Sequence, residues 1–227
     1  MELVKHKSLT RVDLTKFSSL QDLWKFVSSH VDVHRKAEYD DWWERTQKVQ
    51  TQEISEHLFL KECLFSIYVS GFKASTIEKK FYTLLKLHNI EDDGKYIPIT
   101  SENIVTDFTE IYKVFGNKQK AKAVQELRSK ILTLGWEKFH STYVKSRDPN
   151  ALKGLPFVGG PALARHITRN FGNINVVKPD VHLNRLAKAY ERKDALDLCN
   201  ALATDSKLSP AQVDIMLWFA SIDHKTK

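Results

Sequence analysis

The chain has 227 residues, 42% hydrophobic and 28% charged, with Lys+Arg 35 against Asp+Glu 28 and a formal net charge of +7. That composition excludes a disordered chain, and that length suits one compact unit or two lobes rather than several independent domains. The apolar patches around Leu58–Val69 and Ile215–Ile222 are too short or too broken by charge to span a membrane, and residues 1–30 carry Lys5, Lys7, Arg11 and Lys16 without the apolar core of a secretory leader.

The periodicity is helical nearly throughout. Residues 1–56 hold an aromatic cluster, Tyr39, Trp42 and Trp43, among Asp40, Asp41 and Glu44, and a pair of histidines, His30 and His34, spaced as on one exposed helix face. Leu64–Phe81 reads as two helices around Ser70-Gly71-Phe72-Lys73-Ala74-Ser75, and Ile77, Phe81, Leu84 and Leu85 continue with i, i+4, i+7, i+8 spacing. After a loop at Asn89–Thr100, Ile104, Phe108, Ile111 and Phe115 predict a helix behind a Thr100 or Ser101 cap, and Val124, Leu127, Ile131 and Leu132 predict another. Near the end, Ser209-Pro210-Ala211-Gln212 combines an N-cap serine, an N1 proline and a capping-box glutamine ahead of Val213, Leu217 and Ala220. Ile174–Val177 is too short to imply a sheet, so the predicted fold class is all-α.

Charge is unevenly spread. From Ser141 to Tyr190 the basic residues Lys145, Arg147, Lys153, Arg165, Arg169, Lys178, Arg185 and Lys188 face only Asp148 and Asp180. Lys113, Lys118, Lys120, Lys122, Arg128 and Lys130 face a single Glu126. Such clustering is expected of a protein that binds a phosphate backbone, although solvated helix faces produce it too. The two cysteines, Cys63 and Cys199, are too few for a four-thiolate zinc site or an iron–sulfur cluster and read as small buried thiols without a disulfide.

Four of the eight glycines, Gly154, Gly159, Gly160 and Gly172, fall in one stretch, Leu152-Lys153-Gly154-Leu155-Pro156-Phe157-Val158-Gly159-Gly160-Pro161-Ala162-Leu163-Ala164 and the helix after it. A preceding helix should stop near Pro149–Gly154. A new one should start with Pro161 at N1 and run through Ala164, Ile167 and Phe171 to a Gly172 cap. The turn between them aims unpaired amides at the positive end of a helix dipole, where a phosphate can approach without meeting a Cβ. An ordinary helix corner also uses glycine, for geometry alone. Soon after comes Val176-Val177-Lys178-Pro179-Asp180-Val181-His182-Leu183-Asn184-Arg185-Leu186, in which Pro179 fixes the approach and Asp180 is placed to cap a helix carrying Leu183, Leu186, Ala187 and Tyr190.

These two motifs, in this order and spacing, resemble the helix-hairpin-helix and the catalytic-aspartate segment of the endonuclease III-like (HhH-GPD) DNA glycosylase superfamily; Leu163 departs from its usual alanine. The resemblance spans roughly residues 57–222 and is strongest at 152–186. It implies a two-lobed helical bundle with the active-site cleft between lobes, lobe one at about 57–140 and lobe two at about 1–56 plus 141–227. It implies DNA contacts at Lys153, Phe157, Gly159, Gly160 and Ala162, through the amides of Phe157, Gly159 and Ala162. A monovalent structural cation would sit on the carbonyls of Lys153, Leu155 and Val158, with no other cofactor and no iron–sulfur cluster. Asp180 becomes the catalytic carboxylate, with His182 and Arg185 orienting it or holding the backbone. Phe72 or Lys73 becomes the plug that fills the gap left by a flipped nucleotide, with a buried Phe at the helix turn as the other reading, and Lys120 joins the DNA-binding set through a family-like Lys-Ala-x-x-Val segment, Lys120 to Val124. Trp42 or Trp43 is a candidate face for the extruded base, with anchoring of the terminal segment as the other reading.

Relatives that also cleave the strand carry a lysine six residues after the leucine of the Leu-Pro pair; counted from Leu155 that position is Pro161. The expected activity is therefore monofunctional hydrolysis of the N-glycosidic bond of a damaged or modified base in double-stranded DNA. The expected enzyme is a monomer without a membrane partner, in the cytoplasm and on the nucleoid of a bacterial source. Two alternatives stay open: lyase activity from a displaced lysine such as Lys153 or Lys178, and a non-catalytic DNA-binding or lesion-sensing protein in which Asp180 is only a helix cap.

Overall fold

The computed structural model describes residues 11–224. The chain divides into a terminal unit, made of the residues up to Lys48 and those from Ile174 onward, and a central unit, Val49–Asn173. The expected all-α class holds, since the strands among the described residues are a single two-residue ladder.

In the central unit, helix α3 (Glu56–Val69) buries a broad face made of Phe59, Leu60, Cys63, Leu64, Ile67 and Tyr68. Ser55 caps it by accepting the Leu58 amide. α4 (Ala74–Glu78) and α5 (Phe81–Leu87) divide the stripe Ile77–Leu85 at Lys79 and Lys80. The loop that follows turns back on itself as β1 (Glu91–Asp92) and β2 (Lys95–Tyr96). The helix predicted from Ile104 to Phe115 does not form as one piece. The Thr100–Asn103 capping box opens only the turn Ser101–Asn103, and α6 starts at Thr109 and ends at Val114. Between them the Val105 amide donates to the Gln125 side chain, a partner that replaces an intrahelical carbonyl. α7 (Lys118–Leu134) buries Val124, Leu127 and Ile131 but leaves Leu132 exposed.

After α8 (Trp136–Phe139) the chain stays helical to Val144. It then runs through successive tight turns, including Asp148 O to the Ala151 amide, Asn150 O to the Lys153 amide and Leu152 O to the Leu155 amide. The hairpin's first arm is therefore a chain of turns rather than the predicted helix, because Pro149 disfavours helical geometry at Asp148. Its second arm, α9 (Pro161–Asn170), forms as expected. Val144, Leu152, Leu155, Val158, Ala164, Ile167 and Phe171 bury themselves in the same core as α3. The hairpin thus belongs to the central unit, and the second boundary falls after Asn173 rather than near residue 140.

The terminal unit packs α1 (Leu20–His34), α10 (Val181–Ala189), α11 (Ala195–Ser206) and α12 (Pro210–Asp223) around Leu23, Val27, Leu183, Leu186, Leu198, Cys199, Val213 and Leu217. The Ser209–Gln212 capping box forms as read from the sequence. His30 is not exposed: it is buried against Asp223 and His224, while His34 faces solvent. α2 (Lys36–Thr51) runs across the unit boundary. No described helix is long and apolar enough to cross a membrane.

Candidate functional site

The hairpin turn owes its shape to one close approach. A Cβ on Gly159 would lie 2.8 Å from Leu152 O and 3.1 Å from both Leu155 O and Gly154 N, all of them backbone atoms that cannot swing aside. The Gly159 amide donates inward to Leu155 O at 3.2 Å. Gly159 is therefore a shape-giving residue and not the free phosphate donor expected of it. Gly160 takes the N-cap of α9 with extended backbone, followed by Pro161 at N1. That leaves the amides of Phe157, Gly160 and Ala162 without a backbone acceptor at an exposed helix start. Lys153 is exposed beside them. Gly172 closes the far end of α9 at φ +87°, where its missing Cβ lets Gln50 Cα approach.

The carbonyls named for a cation differ in what they already do. Leu155 O accepts the Gly159 amide, whereas Lys153 O and Val158 O take no backbone hydrogen bond. Neutral carbonyl oxygens in a tight turn are hard donors suited to a weakly charged ion, so this set fits a monovalent cation.

In the terminal unit, Asp180 is the N-cap of α10. Its Oδ1 accepts two amides, His182 N and Leu183 N, both at 2.9 Å, while its Oδ2 takes no hydrogen bond from the described residues. The side chain is half-buried. One carboxylate oxygen is thus immobilised by the helix start and the other is left for an external partner. Residues 176–180 are held from behind by Asp214, buried on α12, whose Oδ2 accepts the Lys178 amide at 2.8 Å. Sequence reasoning passed over Asp214, although a lone acid in Val213-Asp214-Ile215-Met216-Leu217 signals a carboxylate with a fixed internal partner. Of the residues placed with Asp180, His182 is half-buried and Arg185 is exposed one turn along the same helix.

Other expectations need correction. Lys120 does not reach solvent: it is 4% exposed, and its Nζ donates to the carbonyls of Ile67 (2.6 Å), Tyr68 (3.0 Å) and Ser70 (2.5 Å) at the end of α3. Burial pushes its pKa down to about 8, yet three carbonyl acceptors require all three ammonium protons, so it stays a cation. It is a structural cap and cannot hold DNA. Arg128 is likewise wholly buried, with five hydrogen bonds to oxygens of His88, Asn89, Asn103 and Gln125. Arg169 is buried, and Arg147 is engaged with Gln50 O and Gln52 O. Trp42 packs with Tyr39 on the terminal core, which favours anchoring; Trp43 joins neither core. Phe72 and Lys73 are exposed between α3 and α4, as a plug must be.

Among solved structures, the fold has a counterpart. The fold resembles that of a DNA glycosylase. Over 92% of this chain and 98% of the other it matches the crystal structure of the 8-oxoguanine DNA glycosylase of Thermotoga maritima, with a TM-score of 0.62 and 18% sequence identity. No family model matches the chain, and no curated protein does. At that identity the likeness is one of fold, and it agrees with the glycosylase resemblance that residues 152–186 carry in sequence.

Proposed function

We propose that the chain is a DNA glycosylase that hydrolyses the N-glycosidic bond of a damaged or modified base extruded from double-stranded DNA. The observation that carries this reading is the divided carboxylate of Asp180, with Oδ1 fixed by two amides and Oδ2 uncommitted. As the base departs, positive charge builds on the deoxyribose. A carboxylate already locked in orientation stabilises that charge without reorganising, and its free oxygen can orient or deprotonate the attacking water. The exposed amides of Phe157, Gly160 and Ala162 grip a backbone phosphate and so fix register without reading sequence. The carbonyls of Lys153, Leu155 and Val158 hold a monovalent cation that stiffens the turn. His182 and Arg185 serve Asp180 or the DNA backbone.

Pro161, at the position where strand-cleaving relatives place lysine, has no nucleophile to offer, which supports a monofunctional enzyme that leaves an abasic site. It works as a monomer in the cytoplasm, on the nucleoid if the source is bacterial. The test is a strand-nicking assay on duplexes carrying single modified bases, beginning with 8-oxoguanine, the base in the name of the Thermotoga protein. Nicks that appear only after alkali support the proposal; nicks without alkali mean lyase chemistry. DNA binding with no nicks across oxidised, alkylated, deaminated and hypermodified bases would favour a lesion-sensing protein.

A further inference from the structure

Asp214 is 1% exposed on α12, between Val213 and Ile215, which are buried with Met216 and Leu217 in the terminal core. A buried carboxylate is costly where an apolar side chain would pack, so the bond it makes indicates its use. Its Oδ2 accepts the Lys178 amide at 2.8 Å, two residues before Asp180. Less than one turn earlier on the same helix, the Ala211 amide donates to Ile174 O at 3.1 Å. Both bonds reach from the start of α12 to residues 174–180, a segment with no helix or strand of its own. The Lys178 carbonyl then accepts the Asp180 amide at 2.8 Å, which closes a tight turn around Pro179. Beyond that turn, Asp180 Oδ1 takes the amides of His182 and Leu183. A continuous series of hydrogen bonds therefore runs from the core of α12 through Lys178 to Asp180.

We propose that Asp214 is a positioning residue for Asp180: by holding the Lys178 amide it fixes the turn at Pro179, and with it the orientation of the Asp180 carboxylate. Packing alone would be served by valine, which is close to aspartate in volume and carries no charge to bury. A carboxylate is the stronger acceptor for an amide, and α12 carries it on a helix already fixed by its capping box. The inference rests on the reading of Asp180 as the catalytic carboxylate, whereas the brace itself is independent of any excision.

The test compares amide hydrogen exchange and base release in the full chain for wild type, Asp214→Val and Asp214→Asn. Exchange at His182 and Leu183 should accelerate at least about tenfold in D214V, the equivalent of one lost charge-assisted bond, while amides of α11 such as Leu198 stay as in wild type. Single-turnover release of 8-oxoguanine from a duplex should fall by about tenfold in D214V, with duplex affinity unchanged. D214N keeps an oxygen for the Lys178 amide, so it should restore both readings to within about threefold of wild type. Lys178→Pro deletes the donor and leaves the α12 core intact, so it should loosen His182 and Leu183 in the same way even where D214V does not fold. Wild-type exchange at these two amides in folded D214V and K178P, loosening spread equally over α11, or wild-type release by D214V would overturn the proposal. If the wild type releases no base while exchange behaves as described, the catalytic reading fails and the brace stands.

Discussion

Lys120 and Asp180 are both charged side chains at a helix end, and their different surroundings decide their different work. Lys120 is enclosed: three carbonyls at the end of α3 accept its N–H groups, and three aromatic rings lie within 6.0 Å of it. Replacing it with methionine strands those carbonyls, so Lys120→Met should lower stability by about 2–3 kcal/mol in chemical denaturation. Because no phosphate contact is lost, the slope of log affinity against log salt should stay at the wild-type value. A shallower slope with unchanged stability would return Lys120 to the DNA surface. Asp180 is half open and has one oxygen to spare. Its place at the start of α10 was legible in the sequence because Pro179, Asp180 and the stripe after them are local chemistry. The fate of Lys120 was not legible, because it depends on carbonyls some fifty positions away. Arg128 was misread for the same reason, since a count of charges cannot distinguish a cation held by backbone oxygens from one in water.

Among the elements, the hairpin is the least tolerant of added bulk. Gly159→Ala would press a methyl against three backbone atoms, so it should destabilise the central unit by about 1–3 kcal/mol. It should also weaken duplex binding with or without a lesion, because the amides at the start of α9 move with the turn. Wild-type binding by a stably folded G159A would contradict this account of the turn. In the terminal unit the end of α12 is tied to α1 by a directional chain of hydrogen bonds. The Val12 amide donates to His224 Nδ1, which leaves His224 Nε2–H for His30 Nδ1 and His30 Nε2–H for the Asp223 carboxylate. Arg35 and then His30 hold Asp223 down at about 2, while burial lowers His224, reinforced by His30 and, more weakly, by His34 and Arg11, against the opposing pull of Asp223. A histidine kept neutral by folding contributes stability that is complete above its unfolded pKa of about 6.5 and is lost as pH falls below it. Denaturation of the wild type should therefore show falling stability from pH 8 to pH 5. His224→Ala should cost about 1–2 kcal/mol at pH 8 and much less at pH 5. An equal difference at both pH values would show that the chain of bonds is not proton-sensitive.

At the scale of the whole molecule, the sequence conveyed the helical class and the linked motifs but misplaced the partition. The split near residue 140 came from the family resemblance, which does not fix where this chain's core changes. The structure divides where the core changes, at Val49 and after Asn173, so that the hairpin's apolar residues remain with α3. The broken helix at 101–114 was hidden for a related reason, since its apolar spacing is intact and only the distant Gln125 and Arg128 reveal the competing bonds. Fewer of the clustered basic residues are free on the surface than the sequence suggests. Lys120, Arg128 and Arg169 are interior, Lys113 is paired with Glu110, and Lys122 is paired with Glu126.

In the proposed function one carboxylate performs the chemistry while other residues perform the binding. It is tested most directly by single-turnover release of a modified base by the wild type and by Asp180→Asn, with duplex affinity measured alongside. Asparagine keeps an oxygen to cap α10 but cannot stabilise an oxocarbenium-like sugar or deprotonate water. Excision should fall by at least about a thousandfold, with affinity within a few-fold of wild type. Release at the wild-type rate by the variant would contradict it.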